Sequence, residues 1–162
     1  MVSLMNFSIK LRPSAMEKRR LVVGPIWLEI SGQYFPDEGW EDFPVKILGW
    51  WLNEVKPLII NRAGSCKCLF MDGDYKFEIS VLRKELWRFN FIEERLDEKG
   101  EDVEECLMEK EVIPKVFISE LISAASTVVG LCRRNGWESK DLTTLESKLA
   151  EVSELAQTYS LL

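Results

Sequence analysis

Histidine is absent from all 162 residues. That absence removes Ser-His-Asp and Cys-His nucleophile systems, His-ligated zinc and haem sites, and the usual general base near neutral pH. Carboxylate, lysine and metal-assisted chemistry stay open. Glycine-rich phosphate loops are also missing: neither G-x-G-x-x-G nor G-x-x-x-x-G-K-[ST] occurs, so nucleotide binding through a standard motif has no support. There are four cysteines, Cys66, Cys68, Cys106 and Cys132, but no paired Cys-x-x-Cys knuckles. No run is apolar over the ~20 residues a membrane span needs. The start, residues 1–7, lacks the apolar region of a secretory signal, and Met5 is an alternative start to Met1. The expected compartment is the cytoplasm, with reduced thiols and no membrane partner. There is no internal repeat and no low-complexity tract.

What is present reads as one globular domain, residues 1–162. Apolar residues make up 46% and charged residues 30% of the chain. Asp and Glu number 27 against 21 Lys and Arg, a net charge of −6, which disfavours binding to phosphate backbones and so to nucleic acid. The charge is uneven. Lys10, Arg12, Lys18, Arg19 and Arg20 make the start basic, whereas residues 93–111 are strongly acidic, with Asp97, Glu98, Glu101, Asp102, Glu104 and Glu105 crowded together. A solvated hairpin tip is the plain reading of such a run. The sharper one is a partner-binding surface for a basic protein, since an acidic patch can cover the phosphate site of a nuclease.

Alternation of apolar and polar residues predicts strands over residues 6–11 and 21–34, with bends at Gly24-Pro25 and Ser31-Gly32. Residues 12–20 read as a loop. After the turn chemistry of residues 35–40, Asp42 suits a helix N-cap and Pro44 its first turn. Leu48, Trp51, Leu52, Val55, Leu58 and Ile59 then recur at helical spacing, with Pro57 expected to kink or end the helix. Strands are predicted over residues 66–72, 75–82, 86–95 and, more weakly, 103–112, the first two joined by Asp72-Gly73-Asp74. Pro114 opens a long helix ending at Arg133, Arg134 and Gly136, and Asp141 or Ser139 caps a last one. The fold class expected is α+β: a largely antiparallel sheet of about five or six strands, one helix inserted after the second strand, and two C-terminal helices packed against it.

Several residue groups carry weighable chemistry. Cys66 and Cys68 face the same way on a strand and could share a metal with Cys106 and Cys132, but buried thiols are the commoner fate. Asp72 and Asp74 suit a turn better than a cation loop. Glu78 lies on the polar side of its alternation and the pair Glu93 and Glu94 sits at a strand end, so a solvated surface is read there rather than a paired acid–base site. Trp27 falls opposite the Ile26, Leu28 and Ile30 face, and adjacent Trp50 and Trp51 point ~100° apart on a helix. Either both sheet faces are covered or some tryptophans anchor an interface. No catalytic, cofactor-binding or metal-binding residue is assigned.

Phe35-Pro36-Asp37-Glu38-Gly39-Trp40-Glu41-Asp42-Phe43, Trp50-Trp51, Phe70-Met71-Asp72-Gly73-Asp74-Tyr75 and Cys132-Arg133-Arg134-Asn135-Gly136-Trp137 together resemble a family of small, uncharacterised bacterial cytoplasmic proteins. The resemblance implies a shared α+β fold and brings no activity or cofactor with it. Some members are similar to immunity proteins of bacterial toxin systems. The function expected is therefore a non-catalytic protein-binding domain, immunity-like. The alternatives are a small-molecule-binding or carboxylate-dependent enzyme domain, and a homodimer formed through the last helix and residues 159–162.

Overall fold

The computed structural model describes residues 6–162; residues 1–5, and with them both candidate starts, lie outside the described residues. The chain opens with five short antiparallel strands, β1 (Phe7–Leu11), β2 (Glu17–Lys18), β3 (Val22–Ile30), β4 (Gln33–Phe35) and β5 (Glu41–Asp42). Helix α1 (Pro44–Asn61) follows. Then come β6 (Ser65–Leu69), β7 (Tyr75–Arg83), β8 (Leu86–Leu96) and β9 (Asp102–Val112), and finally α2 (Pro114–Arg134) and α3 (Lys140–Thr158). The class is α+β, with one helix after the early strands and two at the C-terminal side.

The strands divide between two antiparallel sheets instead of forming one. β3 is the spine of the first, pairing with β1, β2, β4 and β5; the second runs in the order β6-β7-β8-β9. The division has a physical cause. β3 is paired along both edges, and the outer edge of β1 is engaged by α2, where the Ile9 N–H donates to Glu120 Oε1 at 3.0 Å. No edge is left there for β6, and a carboxylate on an edge strand is a familiar block to further pairing.

Both sheets turn apolar faces to one core. Ile26, Leu28 and Ile30 from β3 and Phe77, Ile79, Phe89 and Phe91 from β7 and β8 are all fully buried, as are Trp51 of α1 and Phe117 of α2. Phe7 lies edge-on to Phe89 at 5.4 Å and Phe35 to Phe91 at 5.0 Å, so aromatic rings join the sheets directly. Trp27, on the other face of β3, is buried as well, under the Arg12 guanidinium 5.1 Å from its ring centroid. Trp51 and Trp87 are buried, while Trp40, Trp50 and Trp137 are half-buried against the core. The tryptophans therefore belong mainly to packing.

Four local expectations change or narrow. β3 runs straight through Gly24-Pro25 without a bend; glycine is needed there because a Cβ would sit 2.5 Å from Met16 Cγ and 2.9 Å from Met16 Cα. Of the two outcomes expected at Pro57, a kink or an end, the helix does not end there: α1 continues for another turn, because Leu58 and Ile59 are buried and that packing outweighs the lost hydrogen bond. Helix α2 is long enough and apolar enough to cross a membrane by length and composition, contrary to the expectation from the sequence. Here one of its faces, through Phe117, Leu121, Ala125 and Val128, is core.

The fourth change concerns Asp42. Phe43, not Asp42, is the N-cap of α1. The Asp42 side chain is buried and binds across the fold. Its Oδ1 accepts from the backbone N–H groups of Phe43 at 2.8 Å and Met71 at 3.2 Å, and its Oδ2 from the Trp40 indole and the Asp72 N–H, both at 3.1 Å. One carboxylate thus clasps the first sheet to the β6–β7 turn. Burial pushes its pKa above the ordinary 3.8, against the pull of those four donors. A carboxyl with a raised folded-state pKa contributes most to stability while protonated, and that contribution fades as pH rises through the raised value. Asp42→Ala is expected to lower unfolding free energy by about 2–4 kcal/mol at neutral pH, by stranding buried donors. The loss should grow as pH falls from 7 towards 4. Urea titrations at several pH values check both the size and the sign.

Candidate functional site

The acidic residues singled out above lie at one end of the β8–β9 hairpin. β8 and β9 pair from Trp87 opposite Val112 to Leu96 opposite Asp102, but β7 begins only at Tyr75, opposite Glu93. Glu94 still donates its N–H to the Asp74 carbonyl at 2.7 Å, and beyond it the hairpin is a two-stranded ribbon. β9 is also an edge strand of the second sheet, as β6 is at the other side.

The local sequence explains the tip. Asp97 Oδ1 accepts from the N–H groups of Lys99 at 2.8 Å and Glu101 at 2.9 Å, and Gly100 supplies the positive φ of 80° that closes the turn. Asp97 is therefore a turn-builder. Glu98, Glu101 and Asp102 are exposed and have no cation within 4 Å among the described residues.

The register sets like charges against one another. Glu93 stands directly opposite Glu105, and Glu94 directly opposite Glu104; such pairs disfavour the strand pairing that holds them. Three neighbours offset the repulsion. Lys76 of β7, only 4% exposed, reaches Glu94 at 2.9 Å, Glu104 at 2.5 Å and Glu78 at 3.6 Å. Arg95 meets Glu105 at 3.2 Å, and the Tyr75 hydroxyl bonds to Glu93, which raises the Tyr75 pKa. Even so, residues 93–105 hold eight carboxylates against Arg95 and Lys99, so this ribbon carries the equivalent of the chain's whole net charge of −6. At its end Leu96 is 65% exposed, beside a groove of about 560 Å³ lined by Asp74, Glu94, Arg95, Asp102 and Glu104. Leu96 is the residue that sequence reading missed. It shares a face of β8 with Arg88, Asn90, Ile92 and Glu94, opposite the Trp87, Phe89 and Phe91 face, so the alternation gives no signal for it.

Of the six acidic residues expected to form the surface, five face outward on this ribbon or its turn, with Glu104 and Glu105 partly neutralised, and Asp97 is turned to structure. The other weighed groups do not converge with them. Cys66 and Cys68 point into the core, Cys132 is buried in α2, and Cys106 is exposed on β9. Burial pushes the Cys68 and Cys132 thiols up. Among the described residues, no three metal-ligating side chains come together.

Among the described residues Lys76 is the one buried cation, and it is the natural suspect for amine chemistry. Burial works against its charge, but the hydrogen bonds to Glu104 and Glu94 outweigh burial and raise its pKa above the ordinary value. Its contribution to stability persists through neutral pH and is lost only in strong base. A lysine held this firmly as an ammonium is no neutral base or nucleophile. Glu104 is lowered below 4.5 by its hydrogen bond to Lys76, so its stabilising contribution is lost as pH falls through that lowered value. In Lys76→Met, the Glu104 carboxyl, followed by NMR, is expected to titrate at higher pH than in the native protein. An unmoved Glu104 would mean that the ion cluster does not form.

Compared with protein-family models, with curated proteins and with solved structures, the chain finds no match. The reading of this surface rests on the residues themselves.

Proposed function

We propose that this is a non-catalytic protein-binding domain of the cytoplasm, whose β8–β9 ribbon presents carboxylates to a basic protein partner in the manner of an immunity protein covering a nuclease's phosphate site. The observation that carries the reading is the double like-charge pairing, Glu93 opposite Glu105 and Glu94 opposite Glu104. A sequence selected for stability alone would avoid it, and a surface selected to meet cations would keep it. The exposed Leu96 at the ribbon's end supplies an apolar anchor among charges, and the free edge of β9 offers backbone groups to the same partner. Nucleic acid is disfavoured by the same field that attracts a basic protein.

Two observations weigh against the alternatives. Lys76 is locked as a cation, which removes the obvious catalytic amine. Self-association through the chain's end is weakened because Tyr159 and Leu161 pack against this chain's own core.

The test is affinity purification of the tagged chain from its native cells at low and moderate salt. One stoichiometric basic protein is expected, released as salt rises. Glu98→Lys, Glu101→Lys and Asp102→Lys together are expected to slow its association by about tenfold or more, with the circular dichroism spectrum unchanged. Recovery of no partner, or a partner indifferent to the three substitutions, sinks the proposal.

A further inference from the structure

At the opposite end of β8 from the acidic ribbon lies a second feature with the reverse character. The ends of α1 and α3, the β7–β8 turn and the start of α2 enclose a cleft of about 390 Å³, within the range that takes a small ligand. Its floor is apolar, with Leu58, Ile59 and Trp87, all buried core residues, reaching its surface. Its rim is cationic: Arg62, Lys84 and Lys115 line it.

What sets these cations apart is that three of them converge on one apolar cleft without a carboxylate to neutralise them; of the eighteen other lysines and arginines, ten are within 4 Å of a carboxylate. Among the described residues, none of Arg62, Lys84 and Lys115 has such a partner, and Glu85, the one carboxylate on the lining, pairs with none of them. Arg62 is held ready by its stack on the Tyr159 ring, 5.2 Å from the centroid. Both Arg62 and Ser160, on the same lining, adopt left-handed backbone at φ 54° and 58°. That conformation is how the two helices end, and it sets both residues on the cleft wall.

The helix ends agree with the sign. The carbonyls closing α1 and α3 are already used, by the Arg62 N–H on Leu58 and the Leu161 N–H on Ala156. The start of α2 is not capped: Ile113 offers no side-chain acceptor, and no acid lies in the first turn. Its partial positive charge adds to the three cations.

We propose that this cleft binds a small amphiphilic carboxylate, an acyl or aryl chain lying on Leu58, Ile59 and Trp87 with its carboxylate at Arg62, Lys84 and Lys115. The apolar floor accounts for the tail and the unpaired cations for the head. Neither a neutral lipid nor a simple anion uses both.

The test uses the full chain, with decanoate, decanol and acetate as probes, read by NMR at the Trp87 indole and the Lys115 amide and by calorimetry. Decanoate is expected to move both signals and to bind at least about tenfold more tightly than either decanol or acetate, the worth of one charge-assisted hydrogen bond. Lys84→Glu with Lys115→Glu, both at exposed positions, should cost decanoate about tenfold or more and leave decanol unchanged. Decanol or acetate matching decanoate, shifts confined to other parts of the chain, or a double variant that binds decanoate normally would each overturn the proposal. The ribbon substitutions Glu98→Lys, Glu101→Lys and Asp102→Lys should leave decanoate binding intact, so this result stands or falls apart from the protein partner.

Discussion

Phe35 meets Phe91 at 5.0 Å, and Phe7 meets Phe89 at 5.4 Å. Through these ring contacts two sheets that share no hydrogen-bonded strand become one body. Phe77 and Phe89 stack at 5.8 Å with planes 8° apart, Phe117 of α2 lies edge-on to Phe89 at 4.9 Å, and Trp51 of α1 meets Phe77 at 5.0 Å. Helices and sheets thus converge on a single aromatic seam. Such rings contribute both buried area and preferred edge-on geometry, so the seam sets the distance between the sheets as well as holding them. Everything placed at the surface is placed relative to it.

The Asp42 clasp is the polar counterpart of that seam. It ties β5 and the Trp40 indole to the Met71 and Asp72 N–H groups of the β6–β7 turn. That turn leads into Tyr75 and Lys76, which face Glu93, Glu94 and Glu104. A short chain of contacts therefore runs from a buried carboxylate to the acidic ribbon, and Lys76 is its last rigid link. Without a cation there, the Glu94–Glu104 pair would lose its compensation, while Arg95 and Tyr75 would still answer Glu105 and Glu93.

The molecule is polarised along β8. Its last residues carry the concentrated negative charge, and its first lie beside a cleft with spare positive charge and an apolar floor. Eleven residues of strand separate the two by roughly 35 Å, several Debye lengths at physiological salt. Their fields are nearly independent, and a protein partner at one end leaves room for a small ligand at the other.

The longer elements and the fold class were legible in the residues, whereas the short strands β2, β4 and β5 were not: β2 falls in a stretch that reads as loop, β4 in the tail of one continuous strand reading, and β5 where a helix N-cap was expected. β8 and β9 fall within one residue of the reading from alternation, because half-buried strands expose a period of two. Ser139 caps α3 through its hydroxyl, which accepts from the Leu142 N–H at 3.1 Å, and Gly136 follows α2 at φ 66°, as helix-end chemistry requires. The acidic run, too, could be read as an exposed hairpin end, because charge in such density has no place inside. What the sequence left undecided were relations between distant segments. Whether the strands make one sheet or two depends on which edges are already occupied, here by Glu120 from a helix 111 residues away. Whether Asp42 caps its own helix or clasps a turn 30 residues on, and whether Lys76 is solvated or buried among three carboxylates, is settled by who arrives beside them. Periodicity and local propensity are properties of neighbours along the chain, whereas partners for buried charge and free sheet edges are assigned only when the chain closes on itself.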